Sequence, residues 1–324
     1  MKTILVTGGA GYIGSHAVVE LLNKKYKVIV LDNLENGYKE LIDERAKFYQ
    51  ADIREIKSME KIFQENKVDA IMHFAAYIKV AESIENPNKY YLNNTYGIMN
   101  ILEMMEKYSI KNIVFSSTAA VYGEVIGNEL VDEEYPKNPI NPYGMSKLMA
   151  ERIIVDTSKT RDINYAIFRY FNVAGAHEHY KLGQKGEGMT SLIPILLQVA
   201  KGEREFIEIY GNDYNTKDGT GVRDYIHVVD LVRAHILALE TLNKKISGIY
   251  NLGNGSGFSV LEMLTAAREV TGHEIPMLFS EKRTGDPASV VASSQKAKDI
   301  LGWETEYKTI EKIISTAWNW YKEL

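Results

Sequence analysis

Hydrophobic and polar positions in the first half of the chain alternate between short apolar runs and longer helical stripes. Thr3-Ile4-Leu5-Val6 is one short run and Val28-Ile29-Val30-Leu31 is another. Both have the length and β-branched content of buried strands. Between them, Val18, Val19, Leu21 and Leu22 fall on one face of a helix. The alternation continues, with strands predicted at Lys47–Gln50, 69–74, 112–115 and 165–170 and helices at 58–65, 93–108 and 142–158. Pro142 opens the last of these, where the N–H that proline lacks would have no partner. Six strands separated by helices predict an α/β fold on a doubly wound parallel sheet, with ligands at the carboxyl ends of the strands.

Beyond residue 172 the regularity weakens. Helices are predicted at Leu192–Ala200, 228–242, Val260–Thr271 and Ile310–Tyr321, and strands at 206–209 and 249–252. Glycine-rich polar loops are predicted at 183–188 and 212–221. This half reads as a smaller C-terminal α/β lobe that binds substrate and sends some segments back to the main sheet. The division is drawn at residues 1–175 for a dinucleotide-binding domain and 176–324 for the lobe. Trp318 and Trp320, in the last helix, are read as packing residues.

The first strand runs into Thr7-Gly8-Gly9-Ala10-Gly11-Tyr12-Ile13-Gly14, and the second ends on Asp32. Strand, glycine turn, helix, strand and acid is the order of a dinucleotide-binding βαβ unit of Rossmann type. Glycines at 8, 11 and 14 let the backbone turn tightly, let a pyrophosphate reach the main chain, and let helix pack on strand. The helix N-terminus offers free N–H groups and a positive dipole end. Asp32 suits a ribose 2′-hydroxyl and repels a 2′-phosphate, and Asn33 and Leu34 supply no arginine after it. NAD is therefore favoured over NADP.

Bulk properties narrow the function classes. The chain has 324 residues, 45% hydrophobic and 25% charged, with a net charge of −5. That balance makes no electrostatic case for nucleic acid or an anionic membrane. There is no cysteine, so disulfides, thiol catalysis and cysteine metal sites are excluded. A chain that enters a strand at once, with no leader or spanning segment, reads as cytoplasmic. No metal site is expected: His177 and His179 flank Glu178 in a polar loop, read as a surface cluster, and no HExxH spacing occurs.

The second chemical signal is Tyr143-Gly144-Met145-Ser146-Lys147. Spacing of four on a helix puts Tyr143 and Lys147 on one face. A lysine ammonium beside a phenol favours the phenolate, which then acts as a general base, and a nicotinamide cation would favour it further. The helix follows a strand that ends in Ser116-Ser117-Thr118, hydroxyls able to bind the same substrate oxygen.

At this point the sequence resembles a known family. TGGAGYIGSH, DNL, ADIR, HFAA, FSSTAAVYGE, NPYGMSK, RYFNVAGAH, GNDYNTKDGTGVRDYIHV, YNLGNG and ILGW together resemble the UDP-glucose 4-epimerases, members of the extended short-chain dehydrogenase/reductase family. The likeness covers nearly the whole chain, and the long GNDYNTKDGTGVRDYIHV run is its most particular part. The resemblance implies that Tyr143 takes the proton from the sugar 4-hydroxyl while C4 gives a hydride to tightly held NAD. The 4-keto sugar then turns over and takes the hydride back on its other face. It implies that Thr118 binds the reacting oxygen and that Lys147 binds the nicotinamide ribose. Cofactor contacts are implied for Gly8, Gly11, Tyr12, Ile13, Asn33, Asp52, Ile53, Phe74, Ala75 and Asn93, besides Gly14 and Asp32. Contacts to the UDP-sugar are implied for Asn172, Leu192, Tyr210, Arg223, Arg283 and Asp286, with Ser191 at a position where many members have asparagine.

The chain departs from the family in places. Thr118 stands where serine is common, and a pocket lysine of some relatives aligns with Ile78 and not with Lys79. Val290 stands where members restricted to glucose and galactose carry a bulky tyrosine, which leaves room for a 2-acetamido group. Alternatives are another UDP-sugar 4-epimerase, acting on N-acetylglucosamine or glucuronate, and a non-catalytic NAD-binding sensor. A 4,6-dehydratase would need acid and base groups where this chain has Ala119 and Ala120. A homodimer is predicted, paired through helices that carry Met104, Met105, Met149, Ile153 and Ile154.

Overall fold

The computed structural model describes residues 1–127, 130–186, 189, 191–283 and 286–324. The strands in chain order are β1 Thr3–Thr7, β2 Lys27–Asp32, β3 Lys47–Gln50, β4 Ala70–His73, β5 Asn112–Ser116, β6 Asn164–Tyr170 and β7 Asn172–Ala174. They continue with β8 Ile207–Tyr210, β9 Val222–His227, β10 Gly248–Leu252, β11 Gly257–Ser259, β12 Met277–Ser280 and β13 Ser289–Val290. Seven of them form one parallel sheet in the order β3-β2-β1-β4-β5-β6-β10. The order reverses beside β1, so the carboxyl ends of β1 and β4 diverge into a crevice, where such sheets bind ligands.

The strands alternate side chains between two cores, because successive residues point to opposite faces. Ile4, Val6, Val28, Val30 and Met72 pack under the Tyr12–Asn23 and Val228–Asn243 helices. Leu5, Ile29, Leu31, Ile71 and Phe115 pack under the Ile56–Glu65, Gly97–Lys107 and Pro142–Thr160 helices. All six strands predicted before residue 172 are present, and β10 adds a seventh from far along the chain.

The chain leaves this sheet at Tyr170 and pairs Asn172–Ala174 with β9 two residues later. β9 also carries β11 and β13, and β8 pairs with β12. The Leu192–Ala200, Val260–Thr271 and Ile310–Tyr321 helices close a third core around them, with Trp318 inside it. β9, β11 and β13 were not expected, since Val222–His227 mixes charged and apolar residues and carries no strand pattern of its own. Of the polar loop at 183–188, residues 187 and 188 lie outside the described residues.

Two further expectations are corrected. The predicted helix at 93–108 begins as a π-helical turn, Tyr91–Tyr96, before the α-helix Gly97–Lys107. Of the histidines read as a surface cluster, His179 is exposed, but the His177 side chain is buried and its Nε2 lies 3.2 Å from Glu20 Oε1. It ties this loop to the helix that follows the glycine turn.

Candidate active site

The glycine turn is built by close approach. Gly8 has φ of +72°, and a Cβ on it would sit 2.6 Å from the Ala75 nitrogen. A Cβ on Gly14 would sit 2.1 Å from the Gly8 carbonyl oxygen. The helix Tyr12–Asn23 starts here with Gly11 at its N-cap and no side chain capping its first N–H groups. Those donors and the dipole end favour an anion. Ile13 packs into the core beneath the turn, and the Tyr12 hydroxyl donates to the Gly175 carbonyl at 2.6 Å.

Asp32 ends β2 beside this turn and is nearly buried. Burial pushes its carboxyl pKa up, against two backbone donors: Leu34 at 2.9 Å and Ala10 at 3.0 Å. Asn33 donates to Asp52 at 2.9 Å. Burial pushes the Asp52 carboxyl up, but Arg54 and Asn33 outweigh it and hold it at about 2. Ile53 is buried against Gly97. Phe74 and Ala75 follow β4 and touch Gly8. Asn93 is buried in the π-helical turn and donates to Asn94 at 3.0 Å. A π-helical turn inside a longer helix is often found at a functional site.

The chemical groups gather at the end of β5. Thr118 caps a short turn, its Oγ1 accepting from Ala120 N at 3.1 Å. Tyr143 is the second residue of its helix, whose N-cap Asn141 accepts from Gly144 N at 2.8 Å. Gly144 lets this helix end approach the Thr118 turn, for a Cβ there would lie 2.6 Å from the Ala120 oxygen. Tyr143 is half-buried and edge-on to Tyr90 at 6.4 Å. Burial raises its phenol pKa, and the Thr118 hydroxyl against it offsets part of the rise. Lys147 is buried, its Nζ donating to Ser116 O at 2.7 Å and lying 4.9 Å over the Phe115 ring. Burial lowers its pKa to about 7, with Glu151 acting the other way.

Two expectations change here. The Lys147 ammonium is turned to the Ser116 carbonyl and not to the Tyr143 phenol, whose pKa burial raises against the Thr118 hydroxyl. Of the three hydroxyls after β5, Ser116 and Ser117 are engaged elsewhere, with His235 and Glu151. Thr118 alone adjoins Tyr143.

The remaining predicted residues fall into two groups joined by β9. Asn172, Ser191 and Leu192 line a cavity of about 200 Å³ with Gln184, Tyr225 and Trp320. The Asn172 amide donates to the Asp224 carbonyl at 3.0 Å. Beside them, Arg223 and Asp286 form an ion pair, and the Arg283 guanidinium lies 3.8 Å from the Tyr210 ring centre. Arg223 and Tyr225 share one face of β9, and Val290 on β13 pairs with Arg223. Val290, Ala119 and Phe171 each pack against the buried Val121, Tyr122, Val125 and Val131 cluster next to Thr118.

Residues 4–253 match the NAD dependent epimerase/dehydratase family. The chain belongs to that family. It is similar to the UDP-glucose 4-epimerase of Lacticaseibacillus casei, 51% identical over 99% of this chain and 97% of the other. A solved UDP-glucose 4-epimerase superposes with a TM-score of 0.97 at 50% identity, covering 99% of this chain and 98% of that one. The epimerase of Stenotrophomonas maltophila, solved with NAD and formylated UDP-arabinopyranose, superposes at 0.96 with 38% identity, covering 100% of this chain and 98% of that one.

Sequence reasoning passed over Gly144, Tyr225 and Asn94. Gly144 had a visible signal, a glycine inside the first turn of a helix, where a helix normally avoids it. Asn94 had none. It accepts from Tyr77 N at 2.9 Å and donates to Ser146 Oγ at 3.0 Å, tying the loop after β4 to the Tyr143 helix.

Proposed function

We propose that the protein interconverts UDP-galactose and UDP-glucose by NAD-dependent epimerisation at C4 through a 4-keto sugar. One observation carries the reading. The hydroxyls of Thr118 and Tyr143 adjoin each other above buried Lys147, at the same end of the sheet as the glycine turn.

The chain fits a dinucleotide. Gly8 and Gly14 leave no space for a side chain, the helix N–H groups behind them are uncapped, and the acid Asp32 closes the next strand. Gly11, Tyr12, Ile13 and Gly14 would hold the pyrophosphate, and Asp32 and Asn33 the adenosine ribose. Asp52 and Ile53 would flank the adenine, and Phe74, Ala75, Asn93 and Lys147 the nicotinamide half. Bound there, NAD supplies the acceptor that takes and returns the C4 hydride, and a positive charge near Tyr143.

The rest is the work of this chain's side chains. Tyr143 removes the proton from O4 and later restores it. Thr118 holds that oxygen. Arg223 and Arg283 grip the diphosphate, since a guanidinium is a planar cation with several donors. Asn172, Ser191, Leu192, Tyr210 and Asp286 enclose the nucleotide, which tethers the sugar while its ring turns over. Residues 1–175 thus serve mainly the cofactor and 176–324 mainly the UDP-sugar. Purified protein given UDP-galactose and no NAD should produce UDP-glucose up to an equilibrium mixture, followed by proton NMR. No change, even after NAD is supplied, contradicts the reading.

The short side chain at position 290 favours a second substrate pair, UDP-N-acetylglucosamine and UDP-N-acetylgalactosamine. Val290, like Ala119 and Phe171, packs against the buried Val121, Tyr122, Val125 and Val131 cluster next to Thr118, and its side chain is shorter than the tyrosine that would fill a 2-acetamido group's place.

The protein is also proposed to work as a cytoplasmic homodimer. Met104, Met105 and Ile154 are not part of the seam, because all three are buried in the protomer's own core. Leu92, Tyr96, Met99 and Met149 are exposed on the same helices and form the apolar face for a second copy. Light scattering at monomer mass across micromolar concentrations would remove the dimer.

A further inference from the structure

Behind the catalytic helix lies a buried charge pair that the reaction has not yet used. Tyr143, Lys147 and Glu151 are spaced four apart and share one face. Each meets the end of β5: Tyr143 meets Thr118, Lys147 meets the Ser116 carbonyl, and Glu151 accepts from the Ser117 hydroxyl. Glu151 is clamped by Arg169 of β6, with Nη2 to Oε2 at 2.6 Å and Nε to Oε1 at 3.0 Å. Both side chains are 3% exposed. Arg169 also donates to the Tyr122 hydroxyl at 3.1 Å, which donates to Asn251 at 2.6 Å. Burying an ion pair costs much of what its attraction returns, so such a pair adds little stability by itself.

We propose that Glu151, fixed by Arg169 and Ser117, is a positioning residue for the epimerisation: its carboxylate keeps Lys147 protonated and aimed at the strand end where Tyr143 works. This rests on the epimerase reading. Burial pulls Lys147 toward the neutral amine, and Glu151 opposes that pull. Among the described residues, the titratable groups beside it bring no second negative charge. His73 of β4 is held neutral, its pKa down to about 3 through burial and the nearby Lys147. Tyr170 of β6 is raised by burial and by Tyr143, and stays neutral. His235, 3.2 Å from the Ser116 hydroxyl, is lowered by burial to about 4. The Lys147 ammonium also lies over the Phe115 ring.

Two variants test this. Glu151→Gln strands a buried guanidinium and endangers the fold; Glu151→Gln with Arg169→Gln leaves a neutral, hydrogen-bonding pair. The first readout is a titration of the Lys147 side chain by ¹³C NMR of labelled lysine, its signal identified by its loss in Lys147→Arg. In the double variant its midpoint should fall by about one pH unit. The second readout is turnover of UDP-galactose. Here kcat at neutral pH should fall about tenfold, its alkaline limb should move to lower pH, and KM should stay within about twofold. A Lys147 midpoint that does not move in the folded double variant overturns the proposal and leaves Glu151 a brace of the fold. If the unaltered protein leaves UDP-galactose unchanged, the epimerase reading fails, while the lysine titration still decides the claim about Glu151.

Discussion

The ammonium of Lys147 lies 2.7 Å from the carbonyl oxygen of Ser116, on the strand end, and not on the phenol of Tyr143 one helical turn earlier. Tyr143 is left with its pKa raised by burial and only partly relieved by Thr118. A general base near neutral pH needs that pKa lowered, and a nearby positive charge does so. Removing NAD should therefore change the phenol. A tyrosinate absorbance titration, taken as the difference between the native protein and Tyr143→Phe, should place Tyr143 above the ordinary tyrosine range in NAD-stripped protein. With NAD restored, it should fall below that range. Equal values in the two states would show that the cofactor's charge does not reach the base.

The hydroxyl pair gives a graded prediction. Tyr143→Phe removes the group that moves the proton and should cost about 10² to 10⁴ in kcat, with UDP-sugar binding kept within a few fold. Thr118→Val keeps the shape and loses the hydroxyl, so it should lower kcat less, by about 10 to 100. Thr118→Ser should stay near the native rate. Steady-state kinetics on circular-dichroism-matched variants would show whether the order holds.

Gly144 is a test of geometry. An added Cβ would meet the Ala120 oxygen at 2.6 Å, so Gly144→Ala must push the helix off the Thr118 turn. The expected cost is about 1–3 kcal/mol of stability, together with a disproportionate loss of turnover, because Tyr143 moves with the helix end. Calorimetry and kcat on the same sample separate the two effects.

Val290 governs pocket depth in this account. Val290→Tyr should abolish turnover of UDP-N-acetylgalactosamine and leave that of UDP-galactose within a few fold. A native protein that ignores UDP-N-acetylgalactosamine while turning over UDP-galactose removes the second substrate pair.

Much of this was legible in the chain because its signals are local. The glycine turn, Asp32 and the six strands before residue 172 depend on short apolar runs and fixed spacings, which a parallel sheet buried on both faces makes continuous. Pro142 and the Leu192–Ala200 helix were legible for the same reason. What escaped depends on contacts far apart in sequence. β9 pairs with strands before and after it, so Val222–His227 has no alternation of its own to betray it. The direction of the Lys147 side chain is set by the Ser116 carbonyl, 31 residues earlier, and helical spacing says nothing of it. The reading of Met104, Met105 and Ile154 as seam residues failed because periodicity marks an apolar face without saying whether the same chain or a second copy covers it.

The central claim is that C4 loses and regains its own hydrogen inside the site. UDP-galactose deuterated at C4, incubated in ordinary water with the purified protein, tests it most directly. The account predicts UDP-glucose that keeps the deuterium at C4, with no label passing to solvent, as read by mass and proton NMR. UDP-glucose formed with hydrogen at C4 would mean exchange with water, and would contradict a hydride held and returned by the site.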